Sequence, residues 1–245
     1  MGYSVFIGHE PCPKCSSKDN LGRWSDGSAW CFGCRYYEPP KILCSIPQSI
    51  EKVKTYINNK LIMPPEDVTK LIGARGWMWL KKYGIMEKEV EDCLWSDSKQ
   101  WLIFPIYSNH GNKILIAWQA RNFHPIRYKP KYITYGPVGD ILHIIGQPSN
   151  KIILVEDILS AIKVGRSLCQ AMPLFGSNIS LRLLTRLQER FKYLGIWLDM
   201  DKAKESLKSK LRASQLKFEK VFSIITEKDP KDYTNEEIKT KLQEC

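Results

Sequence analysis

Beyond residue 150 the hydrophobic pattern shortens into continuous apolar runs of strand length. Ile152-Ile153-Leu154-Val155 ends on Glu156 and Asp157, and Gly195-Ile196-Trp197-Leu198 ends on Asp199 and Asp201. Runs this short, rich in Ile, Leu and Val, predict strands buried on both faces of a parallel sheet. Between and after them the spacing becomes helical, over 158–168, 180–190 and 202–220. A short strand precedes a turn at Phe175-Gly176-Ser177-Asn178, and another strand is expected over 221–225. A charged turn over 226–232 then leads into a polar terminal helix. Alternating strand and helix predicts a parallel sheet with right-handed crossovers.

Upstream the pattern differs. Residues 101–107 and 113–121 are apolar runs flanking Ser108-Asn109-His110-Gly111-Asn112, which predicts a hairpin turning at 109–112. Residues 61–95 have helical spacing, broken at Gly73 to Gly76 and at Gly84. Pro64-Pro65-Glu66-Asp67 and Met86-Glu87-Lys88-Glu89-Val90 are expected to start helices there. Residues 39–60, with Pro39, Pro40 and Pro47 and then a polar stretch, predict a linker containing a short helix over 50–58.

The first 38 residues carry their own signal. Cys12-Pro13-Lys14-Cys15 and Cys31-Phe32-Gly33-Cys34 are separated by fifteen residues, giving Cys-x2-Cys-x15-Cys-x2-Cys. Each pair is a tight turn aiming two thiolates at one point, and two such turns complete a tetrahedron. The spacing is that of a four-cysteine zinc ribbon. So short a segment buries too little surface to fold alone, so one structural zinc ion is expected to supply its folding free energy. His9 is a neighbour rather than a fifth ligand, and Cys44 has no assigned role. Arg23, Trp24, Asp26, Trp30 and Arg35 add charge and aromatic surface between the turns, and are candidate contacts to nucleic acid.

The expected fold class is therefore α/β in four parts. These are a zinc ribbon at 1–38, a linker at 39–60, a mixed α+β subdomain at 61–150 and a Rossmann-like parallel sheet at 151–245.

Carboxylates at strand ends sit where open α/β sheets place their ligands. Asp199 and Asp201 lie two apart, so on an extended segment they point to the same side. With Glu156 from the neighbouring strand they would form a cluster of oxygen ligands suited to one or two Mg2+ or Mn2+ ions. The competing reading has Asp199 and Asp201 merely capping the next helix. Lys plus Arg number 37 against 26 Asp plus Glu, a net charge of +11. That excess favours a polyanionic partner. Arg121, Arg127, Lys129 and Lys131, interleaved with aromatics, are suited to phosphate. No apolar run approaches the roughly 18 residues of a membrane span. No signal-peptide pattern opens the chain, so a cytoplasmic location is expected. No Gly-x4-Gly-Lys-Ser/Thr loop is present, which argues against a motor ATPase.

With these pieces in order, the chain resembles the primase half of phage primase–helicases and, more distantly, bacterial DNA primases. The shared layout is a four-cysteine ribbon, a linker and an RNA polymerase core ending in a toprim fold. The toprim signature, a Glu closing one strand and Asp-x-Asp closing another, is matched by Glu156, Asp199 and Asp201. The Lys-Asp element after the last strand is matched by Lys228 and Asp229. Arg121 and Pro130-Lys131-Tyr132 look like the basic motif that binds nucleotide phosphates, with Lys129 beside it. Three positions depart from the pattern. Asp157 and Lys204 stand where the family usually has Gly. Ser28 stands where a related phage enzyme uses His in reading its template, so that template preference is not carried over.

The resemblance implies a nucleotidyltransferase making short RNA primers on single-stranded DNA from ribonucleoside triphosphates. It would work with a replicative helicase supplied in trans and pass its primers to a DNA polymerase, in a phage-infected host cytoplasm if phage-encoded. A zinc- and toprim-containing DNA-binding protein without chemistry, such as a recombination mediator or a degenerate primase, is one alternative. A toprim nuclease or topoisomerase is the other.

Overall fold

The computed structural model describes residues 5–38, 63–107, 114–124, 130–136, 138–139 and 141–244. The expected linker, its short helix, the 109–112 turn, Cys44, Arg127 and Lys129 lie outside these residues. The chain divides into two compact units, Met1–Leu61 and Ile62–Cys245.

In the first unit, β1 (Phe6–Glu10), β2 (Leu21–Trp24), β3 (Ala29–Cys31) and β4 (Tyr37–Glu38) pair consecutively as an antiparallel meander. Its buried core is small: Cys12, Leu21, Ala29 and Cys31. Four side chains cannot offset the entropy of ordering this many residues, so the cysteine turns must contribute by another route. Arg23 links strands by pairing with Glu10 at 2.7 Å and Glu38 at 3.0 Å.

The second unit holds two sheets. The first is antiparallel, in the order β5 (Val68–Thr69), β6 (Leu94–Ser96), β7 (Trp101–Tyr107), β8 (Leu115–Asn122) and β9 (Tyr132–Tyr135). Its connection holds α1 (Ala74–Lys82) and a 3-10 turn at Glu87–Glu89. No helix starts at Pro64, and the one expected at Met86 is a single 3-10 turn, with the Met86 amide donating to Glu89 Oε2 at 2.8 Å. After Pro64, Asp67 accepts from Ser96 Oγ at 2.8 Å and Ser98 N at 2.9 Å, which pins this segment to the sheet edge as β5. The glycines read as a break instead bed the Trp95 ring. A Cβ at Gly73 would lie 2.5 Å from Trp95, and one at Gly76 3.1 Å from it, so the helix runs through Gly76.

The second sheet is parallel: β10 (Lys151–Val155), β11 (Gln170–Pro173), β12 (Tyr193–Trp197) and β13 (Lys220–Ser223), in the order β11-β10-β12-β13. Helices α2 (Ile158–Gly165), α3 (Leu181–Gln188), α4 (Ala203–Ala213) and α5 (Asn235–Gln243) connect and flank it. Alternate residues serve opposite faces. Ile152, Leu154, Leu194 and Ile196 pack with Leu183, Leu184, Leu187 and Ala213. Ile153, Val155, Trp197 and Phe222 pack with Ala161, Val164, Ile238 and Leu242. Helix α4 stops well short of residue 220, because Leu216 and Phe218 turn in against the first of these cores.

All eight residues of α2 are buried. Its outer side, Ile158, Leu159 and Ile162, packs with Leu80, Trp95, Leu102 and Phe104 of the antiparallel half.

Gly195 sits where β12 is crowded from both sides: an added Cβ would lie 2.5 Å from Ile153 Cδ1 and 2.8 Å from the Phe222 ring. Gly195→Ala is expected to destabilise the unit by about 1–3 kcal/mol through overpacking. Urea unfolding should show a lower midpoint at unchanged slope.

Candidate metal centres and the cations beside them

The four cysteines come together. Cys12 and Cys34 Sγ lie 3.6 Å apart, Cys15 and Cys31 Sγ 3.7 Å, and all four sulfurs are within 4.8 Å of one another. A tetrahedron with Zn–S bonds of about 2.3 Å has edges of about 3.8 Å, whereas a disulfide needs about 2.05 Å. The spacing fits a zinc ion and excludes crosslinks. The Cys34 amide already points at Cys31 Sγ, at 3.4 Å. Burial pushes the Cys34 thiol up to about 12, while the Ser17 hydroxyl holds Cys15 down at about 6. Zinc would bind all four as thiolates and remove that disparity.

Among the ribbon's candidate nucleic-acid contacts, Arg23 is held by Glu10 and Glu38. Asp26 accepts from Ser28 N at 3.0 Å and Ser28 Oγ at 2.6 Å. Register places Gly22, Trp30 and Tyr37 side by side. Phe6, Trp24 and Phe32 crowd the space above Gly22, with an added Cβ 3.0–3.1 Å from each ring. His9 joins the same group, edge-on to Phe6 at 5.1 Å and tilted against Phe32 at 6.0 Å. Arg35 is exposed, with φ of 62°.

The carboxylates come together at the parallel sheet. Strands β10 and β12 are adjacent in register, Val155 opposite Trp197, so Glu156 and Asp199 leave the same edge. The chain crosses from β10 to β11 on one side and reaches β12 on the other, a topological switch point. Glu156, Asp199 and Asp201 each place an oxygen within 4.8 Å of the others. Asp199 N donates to Glu156 Oε1 at 3.1 Å. A 3-10 turn at Met200–Lys202, rather than strand alternation, brings Asp201 back beside Asp199. Neither carboxylate caps a helix: no side-chain cap bond forms at Asp199, and α4 begins from Lys202 without one. Side-chain capping bonds therefore do not account for the pair, although Asp199 precedes the 3-10 turn and Asp201 lies in it.

Asp199 Oδ1 is buried without a hydrogen-bond partner. Burial and then the Glu156 charge push the Asp199 carboxyl up to about 7, and burial likewise raises Glu156. An orphaned buried oxygen among mutually repelling carboxylates could serve as a donor set for a hard divalent cation.

Around this cluster, the Arg121 guanidinium on β8 is boxed by aromatic rings. Its carbon lies 5.4 Å from the Trp79 centroid, 5.7 Å from Phe123 and 5.0 Å from Tyr132. Its Nε and Nη1 are buried and unpartnered. Burial and then the Asp157 charge push Tyr132 up to about 12, with Arg121 and Lys231 opposing, so this box borders the acidic edge. Lys131 is exposed, 6.0 Å from the Tyr132 centroid. Lys228 is exposed over Tyr233, at 5.7 Å. Asp229 is held instead by Lys231, at 2.5 Å, which also pairs with Asp157 at 3.0 Å.

Sequence reasoning passed over Lys231, Trp79 and Lys163. The available signal for Lys231 was Asp157 itself: an extra acid at a buried sheet edge requires a counter-charge. Lys163 is buried on α2 and donates to the backbone carbonyls of Lys231, at 2.8 Å, and Tyr233.

No family model matches the chain. A DNA helicase/primase of Enterobacteria phage T3 is 44% identical over 36 residues, which is 15% of this chain and 6% of that protein. The chain thus matches only a small fraction of its curated relative's length. Among solved structures, the primase fragment of the bacteriophage T7 primase-helicase superposes with a TM-score of 0.50. That match has 18% identity and covers 98% of this chain and 99% of that one. The zinc-binding and RNA polymerase domains of Aquifex aeolicus primase superpose with a TM-score of 0.57 at 15% identity, over 99% of this chain and 80% of that one. The chain therefore has the fold of the zinc-binding and RNA polymerase domains of phage and bacterial primases.

Proposed function

We propose that this chain is a DNA-dependent primase, joining ribonucleoside triphosphates into short oligomers on single-stranded DNA. The observation that carries this reading is the convergence of Glu156, Asp199 and Asp201 at the switch point, with Asp199 Oδ1 buried and unpaired. These three would hold Mg2+ or Mn2+. When bound, the ion would make the 3′-hydroxyl more acidic and offset charge on the departing pyrophosphate. Glu156 fixes the Asp199 loop through its amide, so the ligands are positioned before any ion arrives. Arg121, whose Nε and Nη1 have no protein partner, would supply a guanidinium charge and donors to a phosphate. Lys131 and Lys228 would add point charge at the exposed rim. Lys129, two positions before Lys131 in sequence, is a further candidate. Template contact is assigned to the ribbon's aromatic and charged residues, Trp24, Trp30, Arg35 and their neighbours Arg23 and Asp26. A replicative helicase and a polymerase accepting the primer complete the proposed setting.

Incubating the full chain with single-stranded DNA, four ribonucleotides and manganese tests the reading. New oligoribonucleotides support it. Cleaved DNA would mark a nuclease, and binding without synthesis a non-catalytic relative.

The box around Arg121 gives a finer expectation. Trp79→Leu removes one face of the stack, worth about 1 kcal/mol. The KM for triphosphate should rise about fivefold with kcat little changed, and Trp79→Phe should restore most of it.

A further inference from the structure

Five carboxylates converge on the edge of the parallel sheet, and they fall into two groups. Glu156, Asp199 and Asp201 form the cluster described above. Asp157 and Asp229 form a second pair, bridged by the Lys231 ammonium at 3.0 and 2.5 Å. The Lys231 side chain is only 13% exposed.

Asp157 has no capacity left for another ligand. Its Oδ1 accepts from Leu159 N at 2.9 Å and Ser160 N at 3.1 Å, capping α2. Its Oδ2 accepts from Ser160 Oγ and Lys231 Nζ, each at 3.0 Å. Four donors fill the lone-pair sites of a carboxylate. Lys231 is fixed at both ends. Its ammonium is held by the two acids, and its backbone carbonyl accepts from the buried Lys163 ammonium at 2.8 Å. Pro230 stiffens the turn between Asp229 and Lys231. The turn therefore cannot swing Lys231 away without uncovering a second buried charge.

Resting on the primase reading of this site, we propose that the Lys231 ammonium is a built-in cation that takes the place a second metal ion would occupy between Asp157 and Asp229. The chain then holds a single catalytic divalent ion, at Glu156, Asp199 and Asp201. An ammonium supplies charge and hydrogen-bond donors at a fixed point but no Lewis acidity. Chemistry that needs an ion on the oxygen is thereby confined to the first group.

The test is a count of bound manganese on the zinc-loaded full chain, read from the loss of the free-ion electron paramagnetic resonance signal. The wild type is expected to bind one Mn2+ per chain. Lys231→Met, which keeps length and removes charge, is expected to bind two, and Lys231→Arg to remain at one. Asp229→Asn is expected to remain at one, because Asp229 serves the lysine and not the ion. Circular dichroism and zinc content report folding of each variant. If Lys231→Met fails to fold, the wild-type count and Asp229→Asn still decide. Two ions in the wild type, one in a folded Lys231→Met, or none in Asp229→Asn would overturn the inference. A wild type that makes primers with two ions sinks only this inference. One that binds no manganese and makes no primers sinks the primase reading with it.

Discussion

Asp199→Asn is expected to lower primer synthesis on the order of 10³-fold, the scale of losing a preorganised charge at the reacting centre. The substitution is nearly isosteric, and binding of single-stranded DNA should be close to wild type. The same change should make the protein more stable when no magnesium or manganese is added. Asp199 is half-buried, raised by desolvation and by Glu156, and therefore charged at a cost in the metal-free fold. Removing that charge should be worth about 1–2 kcal/mol, discounted for partial exposure. Lost activity with gained stability distinguishes a functional carboxylate from a structural one. The paired measurements are incorporation of radiolabelled ribonucleotide and thermal unfolding. Synthesis within about tenfold of wild type, or a clear loss of stability, would remove Asp199 from the site.

Stripping zinc is expected to unfold residues 5–38 while leaving the second unit folded. Among the described residues the ribbon's hydrophobic core has four buried side chains, two of them the ligands Cys12 and Cys31. Structural zinc contributes an apparent 10–16 kcal/mol in such modules, more than that core can replace. Hydrogen exchange after chelation should show amides of β1 to β4 exchanging at unfolded rates, with β10 and β12 still protected. Cys12→Ser should behave like the chelated protein. Protection that persisted across β1 to β4 without metal would show that the aromatic cluster over Gly22 suffices.

Much of this organisation was legible in residue order. Cys-x2-Cys pairs and short apolar runs ending in acids are local patterns, and their periods map directly onto turns and parallel strands. Most of the failures were non-local. Gly73 and Gly76 read as helix breakers, but their role is to admit Trp95, which lies some twenty residues later in the chain. Pro64 to Asp67 looked like a helix start, yet the acid is claimed by Ser96 and Ser98 across the sheet. Asp199 and Asp201 were read as neighbours for a reason that does not hold, strand alternation, where a 3-10 turn does the work. Asp157 called for a counter-charge without saying which: Lys231 is 74 positions away, and only the folded sheet edge joins them.

The burial of α2 on every side bears on how this protein can be cut. A fragment starting at Lys151 would contain every acidic ligand and all four parallel strands. It would also leave Ile158, Leu159 and Ile162 without the Leu80, Leu102 and Phe104 wall they pack against. Such a fragment is expected to aggregate or require detergent, and the shortest soluble piece bearing the acidic edge should begin near Met63.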